Sequence, residues 1–293
     1  MRAERHPGTK IIAMQSGKNT EITVKFRNFA DGDTHCLIED TEHIPDAKVL
    51  VFHYLYPNQN EQIFRLLLLL NTLNVLGAKD IEVFVPYLPY ARQDKAHFAG
   101  ESISSAILCR LLKASGCETL HTIDCHFMKG NSSDTIEELK INNILVKDLL
   151  LEQLGSLTND TYRVIGPDAG SAYLSDGATM KKARAAYYNE TEDGTIHRAV
   201  ETLDSTHLKV MSGSLVVADD MVSTGSTMIK ALESLRSRGV ERLYVMTTHG
   251  LFLDESFEKI RNYTTDVIYS DTISREGAVP VVDTIFHRLT QSL

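Results

Sequence analysis

Leu215-Val216-Val217-Ala218-Asp219-Asp220-Met221-Val222-Ser223-Thr224-Gly225-Ser226-Thr227 decides how this chain is read. The stretch opens with a short apolar run suited to a buried strand. Two adjacent carboxylates follow, then small hydroxylated residues around Gly225, then Met228 to Leu235 with the spacing of an amphipathic helix. Free N–H groups in such a loop and at the start of such a helix attract phosphate, and serine and threonine hydroxyls add donors. The sequence places Asp219 and Asp220 at the strand's carboxyl end, where open α/β sheets bind ligands. Carboxylates there can accept from ribose hydroxyls or touch a metal. A tight turn with a serine or threonine N-cap has the same local composition, but the whole pattern favours a phosphate-binding loop.

Working outward, strand-like and helix-like segments alternate along the 293 residues. Strands are expected over 9–14, 22–26, 34–38, 48–53, 80–86, 119–125, 162–165, 185–188, 242–248 and 266–270. Helices are expected over 58–76, 102–115, 144–154, 171–182 and 255–262, with a short terminal unit over 280–287. Phe29-Ala30-Asp31-Gly32-Asp33 reads as a hairpin turn, and 189–195 as a polar turn. Alternation of this kind predicts parallel sheets covered by helices, hence an α/β protein. A break near residue 140 divides it into an N-terminal domain, 1–142, and a C-terminal domain, 143–293.

Composition narrows the function. A hydrophobic content of 43% suits a sizeable core, and a net charge of −9 argues against nucleic-acid binding. The longest apolar run, Leu66 to Leu70, is too short to span a membrane. Cys36, Cys109, Cys117 and Cys125 lack paired metal-ligand spacing, so a reduced, cytoplasmic protein is expected.

Several further segments join the Asp219–Thr227 stretch. They are Tyr87-Leu88-Pro89-Tyr90-Ala91-Arg92-Gln93-Asp94 with Gly100-Glu101-Ser102-Ile103-Ser104, then Thr122-Ile123-Asp124-Cys125-His126, Gly166-Pro167-Asp168-Ala169-Gly170 and Thr248-His249-Gly250-Leu251-Phe252. In this order they resemble the ribose-phosphate pyrophosphokinases, whose fold is the type I phosphoribosyltransferase fold. The resemblance implies two such domains with parallel sheets covered by helices. It also implies Mg²⁺-dependent transfer of the β,γ-diphosphoryl group of ATP to the anomeric hydroxyl of ribose 5-phosphate.

The resemblance assigns ATP to Arg92, Gln93 and Asp94, and to Phe29, Asp31 and Asp33 lent by a neighbouring subunit, so a homo-oligomer is expected. Asp33 stands where the family has glutamate, a longer arm. The sugar phosphate falls to Asp219, Asp220, Ser223, Thr224, Gly225, Ser226 and Thr227, and a magnesium to His126 and Asp168. Asp219, Asp220 and Arg92 are the expected catalytic residues. Residues 95–100 are expected to close as a lid. From the residues alone, Arg92 also suits a surface ion pair and His126 a structural role, since magnesium prefers oxygen ligands.

One departure is plain. Where the family carries a Lys-x-Arg pair, this chain has Asn189-Glu190-Thr191. That opens a second acceptor, ADP-ribose, whose terminal ribose has a free anomeric hydroxyl. A non-catalytic regulatory partner of an active synthetase is a third reading, opposed by the full set of Arg92, His126, Asp168, Asp219 and Asp220.

Overall fold

Val49-Leu50-Val51-Phe52, Ile81 to Val85 and Thr119 to Ile123 are almost uninterrupted runs of buried residues. Such runs form the middle of a sheet covered on both faces, and they do so in the computed structural model. It describes residues 8–182, 187–190, 196–199, 203–204, 214–273 and 276–292. The chain divides into two units. The first comprises Met1–Leu145 with Val282–Leu293, the second Val146–Val281.

In the first unit the strands are β1 (Lys10–Gln15), β2 (Lys18–Ile22), β3 (Val24–Asn28), β4 (Thr34–Ile38) and β5 (Lys48–Phe52). Helix α1 (Gln59–Val75), β6 (Asp80–Val85), α2 (Ser104–Ala114), β7 (Thr119–Ile123), β8 (Ser132–Ile136) and β9 (Leu139–Ile144) follow. The main sheet runs β2-β1-β5-β6-β7-β9-β8. Its middle strands are parallel, whereas β1, β2 and β8 join antiparallel at the edges. Strands β3 and β4 form a separate hairpin. One sheet face buries Val49, Val51, Val83, Val85 and Leu120 against Leu66, Leu69, Leu70 and Leu73 of α1 and Leu108 and Leu112 of α2. Each such side chain contributes roughly 1.5–3 kcal/mol.

The second unit contains α3 (Lys147–Leu157), β10 (Tyr162–Gly166), β11 (Ala178–Thr179), β12 (Lys181–Lys182), β13 (Tyr187–Glu190), β14 (Ile196–Ala199) and β15 (Leu203–Asp204). It continues with β16 (Ser214–Val222), α4 (Ser226–Ser237), β17 (Arg242–Gly250), α5 (Ser256–Arg261) and β18 (Asp266–Tyr269). Its sheet is parallel throughout, in the order β11-β10-β16-β17-β18. Leu215, Val217, Leu243 and Val245 pack against Met228, Ala231, Leu232 and Leu235 of α4 and Ile260 of α5.

The structure departs from expectation at particular places. The helix expected over 171–182 is a 3₁₀ turn, Ala169–Leu174, followed by the short strands β11 and β12. The hairpin β8–β9 fills a stretch where no strand is expected, because Ser132, Ser133, Asp134 and Thr135 are polar, exposed and without a periodic signal. Asn189 and Glu190 are not turn residues but lie in β13, paired with β14; Ala185 and Thr191 lie outside the described residues. The division falls after Leu145 rather than at 142. The last helix, α6 (Val282–Ser292), belongs to the first unit, where Phe286 meets Phe52 with ring centroids 5.3 Å apart.

Candidate functional site

In the second unit, the apolar half of β16 builds the sheet and its acidic half builds the site. The ladder between β10 and β16 ends at Ile165 and Val217, while the ladder to β17 continues to Val222 and Gly250. Asp219 and Asp220 are therefore inside the strand, not past its end. They stand beyond the point where β10 leaves it for the Asp168 turn. The Asp220 N–H donates to Asp219 Oδ1 at 3.1 Å. Asp168 caps the following 3₁₀ turn, its Oδ1 accepting from the Gly170 N–H at 2.7 Å. Burial, with the neighbouring carboxyls of Asp220 and Asp168, pushes the Asp219 carboxyl well above the usual carboxylate range.

The loop Ser223–Gly225 leads straight into α4. Gly225 takes the left-handed conformation, φ 72°, and as the N-cap residue it brings no side chain to cap the helix. The first N–H groups of any α-helix lack intrahelical partners, and an anion is one group that can take them. The loop's back is fastened: the Ser223 carbonyl accepts from the Leu253 N–H at 2.9 Å and the Ser256 hydroxyl at 3.1 Å. Ser223, Thr224, Ser226 and Thr227 are all half-buried. On β17, His249 is buried and its Nδ1 lies 2.9 Å from the Thr272 hydroxyl, which donates to the Thr248 carbonyl at 3.0 Å.

In the first unit Arg92, Gln93, Asp94 and His126 sit on loops beyond the carboxyl ends of the parallel strands β6 and β7. Arg92 and Gln93 follow β6 and are half-buried, while Asp94 is exposed. Gln93 is tied to α2: its Oε1 accepts from the Ser104 hydroxyl at 2.8 Å and its carbonyl from the Ser105 hydroxyl at 3.0 Å. His126 follows β7 and is half-buried, with Lys129 Nζ donating to its carbonyl at 3.1 Å. Phe29, Asp31 and Asp33 form the tip of the β3–β4 hairpin. The turn is closed by the Phe29 N–H on the Asp33 carbonyl at 2.8 Å and leaves Phe29 58% exposed. The hairpin is braced from α1 by Arg65, which lies over the Phe26 ring and pairs with Glu61 at 2.6 Å.

The structure thus brings Asp168, Asp219, Asp220 and the α4 loop together in one unit, and places Arg92, Gln93, Asp94 and His126 on another unit's loops. Among the described residues, no three His, Cys, Asp or Glu side chains form a ready-made metal cage. Magnesium does not need one, since it binds through one or two carboxylates, waters and substrate phosphates. The mutual repulsion felt at Asp219 is the observation that suits a cation. The resemblance includes Glu101 and Ser104 in the Arg92 segment without a role of their own, and Ser105 is not part of it; all three anchor the Arg92 loop.

Comparisons with known proteins identify the family. The family described as the N-terminal domain of ribose phosphate pyrophosphokinase matches residues 6–116, and the phosphoribosyl synthetase-associated domain matches residues 207–285. The ribose-phosphate pyrophosphokinase of Sulfurisphaera tokodaii is 28% identical, the match covering 89% of each chain. That of Pyrococcus furiosus is 27% identical over 91% of this chain and 92% of its own. The crystal structure of phosphoribosylpyrophosphate synthetase from Mycobacterium smegmatis superposes with a TM-score of 0.68, at 22% identity, over 92% of this chain and 91% of that one. This is the type I phosphoribosyltransferase fold, and the chain belongs to the ribose-phosphate pyrophosphokinase family of diphosphotransferases.

Proposed function

We propose that the protein transfers the β,γ-diphosphoryl group of ATP to the anomeric hydroxyl of ribose 5-phosphate, giving phosphoribosyl pyrophosphate and AMP. The observation that carries this reading is the uncapped start of α4 behind Gly225, next to the Asp219–Asp220 pair. The 5-phosphate would take the N–H groups and hydroxyls of Ser223 to Thr227. Asp219 and Asp220 would accept from the ribose hydroxyls and fix the sugar's orientation. Arg92, a planar cation, suits the triphosphate, and Asp94 and the Phe29–Asp33 tip of a neighbouring copy would serve the nucleotide. The sugar oxygen attacks the β-phosphorus in line, the bond to the α-phosphate oxygen breaks, AMP leaves, and the hydroxyl proton passes to solvent. No protein nucleophile is required, so catalysis is positioning and electrostatics.

Magnesium, when bound, would offset phosphate charge. Asp168, Asp219 and Asp220 offer the oxygen donors it prefers, and His126 is the weaker candidate by ligand chemistry. The exposed hairpin tip supports a homo-oligomer. No helix among the described residues is long and apolar enough to cross a membrane.

A second acceptor is favoured by one feature. By the resemblance, Asn189 and Thr191 take the positions of the family's Lys-x-Arg cations, which would neutralise phosphate, and Glu190 between them adds a negative charge. ADP-ribose carries a single charge on the phosphate next to its terminal ribose and can draw binding energy from its distal nucleoside. Offering each acceptor separately with Mg-ATP, and identifying products by mass, decides the matter. AMP formed with ribose 5-phosphate and not ADP-ribose supports the first reading, the reverse supports the second, and AMP with neither, in a folded protein, removes both in favour of a regulatory subunit.

A further inference from the structure

The loop that carries Arg92 is closed on itself before any ligand is considered. At one end the Gln93 N–H donates to the Tyr90 carbonyl at 2.9 Å, and the Gln93 carbonyl accepts from the Ser105 N–H at 3.3 Å. Helix α2 has no side-chain cap on its own N-cap residue, Ile103, so Gln93 supplies the acceptor that an orphan N–H needs. At the other end Gly100, φ 87°, turns the chain back. Glu101 Oε2 then accepts the N–H groups of His97 at 2.6 Å and Phe98 at 3.2 Å. The Glu101 N–H in turn donates to the Phe98 carbonyl at 3.2 Å. Residues 94–100 are exposed, and these bonds fold them back onto Glu101. The backbone bond from His97 keeps the Glu101 carboxyl below its ordinary range, as expected for a carboxylate accepting in its charged form.

We propose that Glu101 is a positioning residue for the nucleotide: through the N–H groups of His97 and Phe98 it holds residues 94–100 folded before nucleotide arrives, so that Arg92 stands on a preformed loop. This rests on reading the Arg92 loop as the nucleotide site, and it replaces a lid that closes over bound ATP. Ordering a residue costs roughly 1–2 kcal/mol of backbone entropy. A loop already ordered in the free protein spares binding that cost.

The test uses the full chain as wild type, Glu101→Ala, Glu101→Gln and Arg92→Ala. It measures kcat and KM for each substrate, affinity for a non-hydrolysable Mg-ATP analogue, and the rate of trypsin cleavage after Lys95, which is exposed in the loop. Glu101→Ala is expected to weaken ATP about tenfold in KM and analogue affinity, with kcat and the acceptor KM close to wild type, and to speed cleavage after Lys95. Glu101→Gln keeps an acceptor oxygen and is expected to restore most of both effects. Unchanged cleavage and unchanged ATP affinity in Glu101→Ala would overturn the proposal. So would faster cleavage with unchanged affinity, or equal damage in the alanine and glutamine variants, which would mean that the charge itself meets ligand. If Arg92→Ala binds the analogue like wild type, the reading of this loop as the nucleotide site has failed, and Glu101 loses its role with it; a defect in Arg92→Ala without one in Glu101→Ala sinks only the present inference.

Discussion

Gly225 lies so close to Ser256 that a Cβ on the glycine would stand 2.9 Å from the serine Cβ, and 3.3 Å from Ile260 Cδ1. The start of α5 therefore supports the Ser223–Gly225 loop from behind. The same serine's hydroxyl holds the Ser223 carbonyl.

Gly225→Ala should fail on two counts. Alanine in the left-handed region costs roughly 1–2 kcal/mol, and its methyl group must displace α5. We expect a melting temperature lower by several degrees and a sugar-phosphate KM raised about tenfold or more, with ATP affinity preserved. Thermal melts and steady-state kinetics check this; a change confined to ATP would count against the assignment of the loop.

Asp219→Asn should separate stability from activity. The amide removes a charge that burial and two neighbouring carboxyls disfavour, so the melting temperature should rise by a few degrees. Turnover should fall by about 10²–10³ if the carboxylate orients sugar and metal in the transition state. A chelator should abolish activity in wild type, and added magnesium should restore it. AMP formation that persists in excess chelator would refute the metal's part.

Arg92→Ala should raise the ATP KM about tenfold or more while leaving the acceptor KM alone. Arg92→Lys should recover only part of this, because a point charge lacks the planar fork that meets two phosphate oxygens. Initial-rate kinetics with each substrate varied in turn would show it.

His53 predicts a pH dependence of folding. The ring is buried, its Nδ1 2.8 Å from the Thr9 hydroxyl and its Nε2 3.2 Å from the Gln62 carbonyl. Burial, with a lesser contribution from Arg65, pushes its pKa down from 6.5 to about 4. The unfolded chain binds the proton near 6.5 and the folded chain only near 4, so stability is full above the first value and lost as pH falls toward the second. The loss should approach about 3 kcal/mol. Urea midpoints in His53→Gln should be lower at neutral pH but should fall less steeply than those of wild type as the solution is acidified through this window.

Much of the architecture was legible locally. The buried runs of β5, β6 and β16 and the leucines of α1 announce strand and helix through apolar spacing, and the Asp219–Thr227 stretch announces a strand, a loop and a helix start through residue type. Less was legible where signals are weak or shared. Strand β8 is polar and exposed, and the stretch 171–182 has helical composition but follows Asp168, whose cap of a 3₁₀ turn takes the chain elsewhere.

By itself the sequence determined most of the strands and helices and the family, because these depend on near neighbours and on short motifs in order. Tertiary structure alone decided which distant residues meet. Glu82 on β6 bonds His121 on β7 at 2.5 Å and Lys48 on β5 at 2.7 Å, across the middle of the sheet. Burial would raise the Glu82 carboxyl, but its bonds to His121 and Lys48 hold it below the usual range. Asp168 presses on Asp219 across some fifty positions, and α6 returns to the first unit to pack on Phe52. No spacing rule encodes such encounters. They follow from which strands become neighbours, and that is settled by the burial of apolar surface over the whole chain.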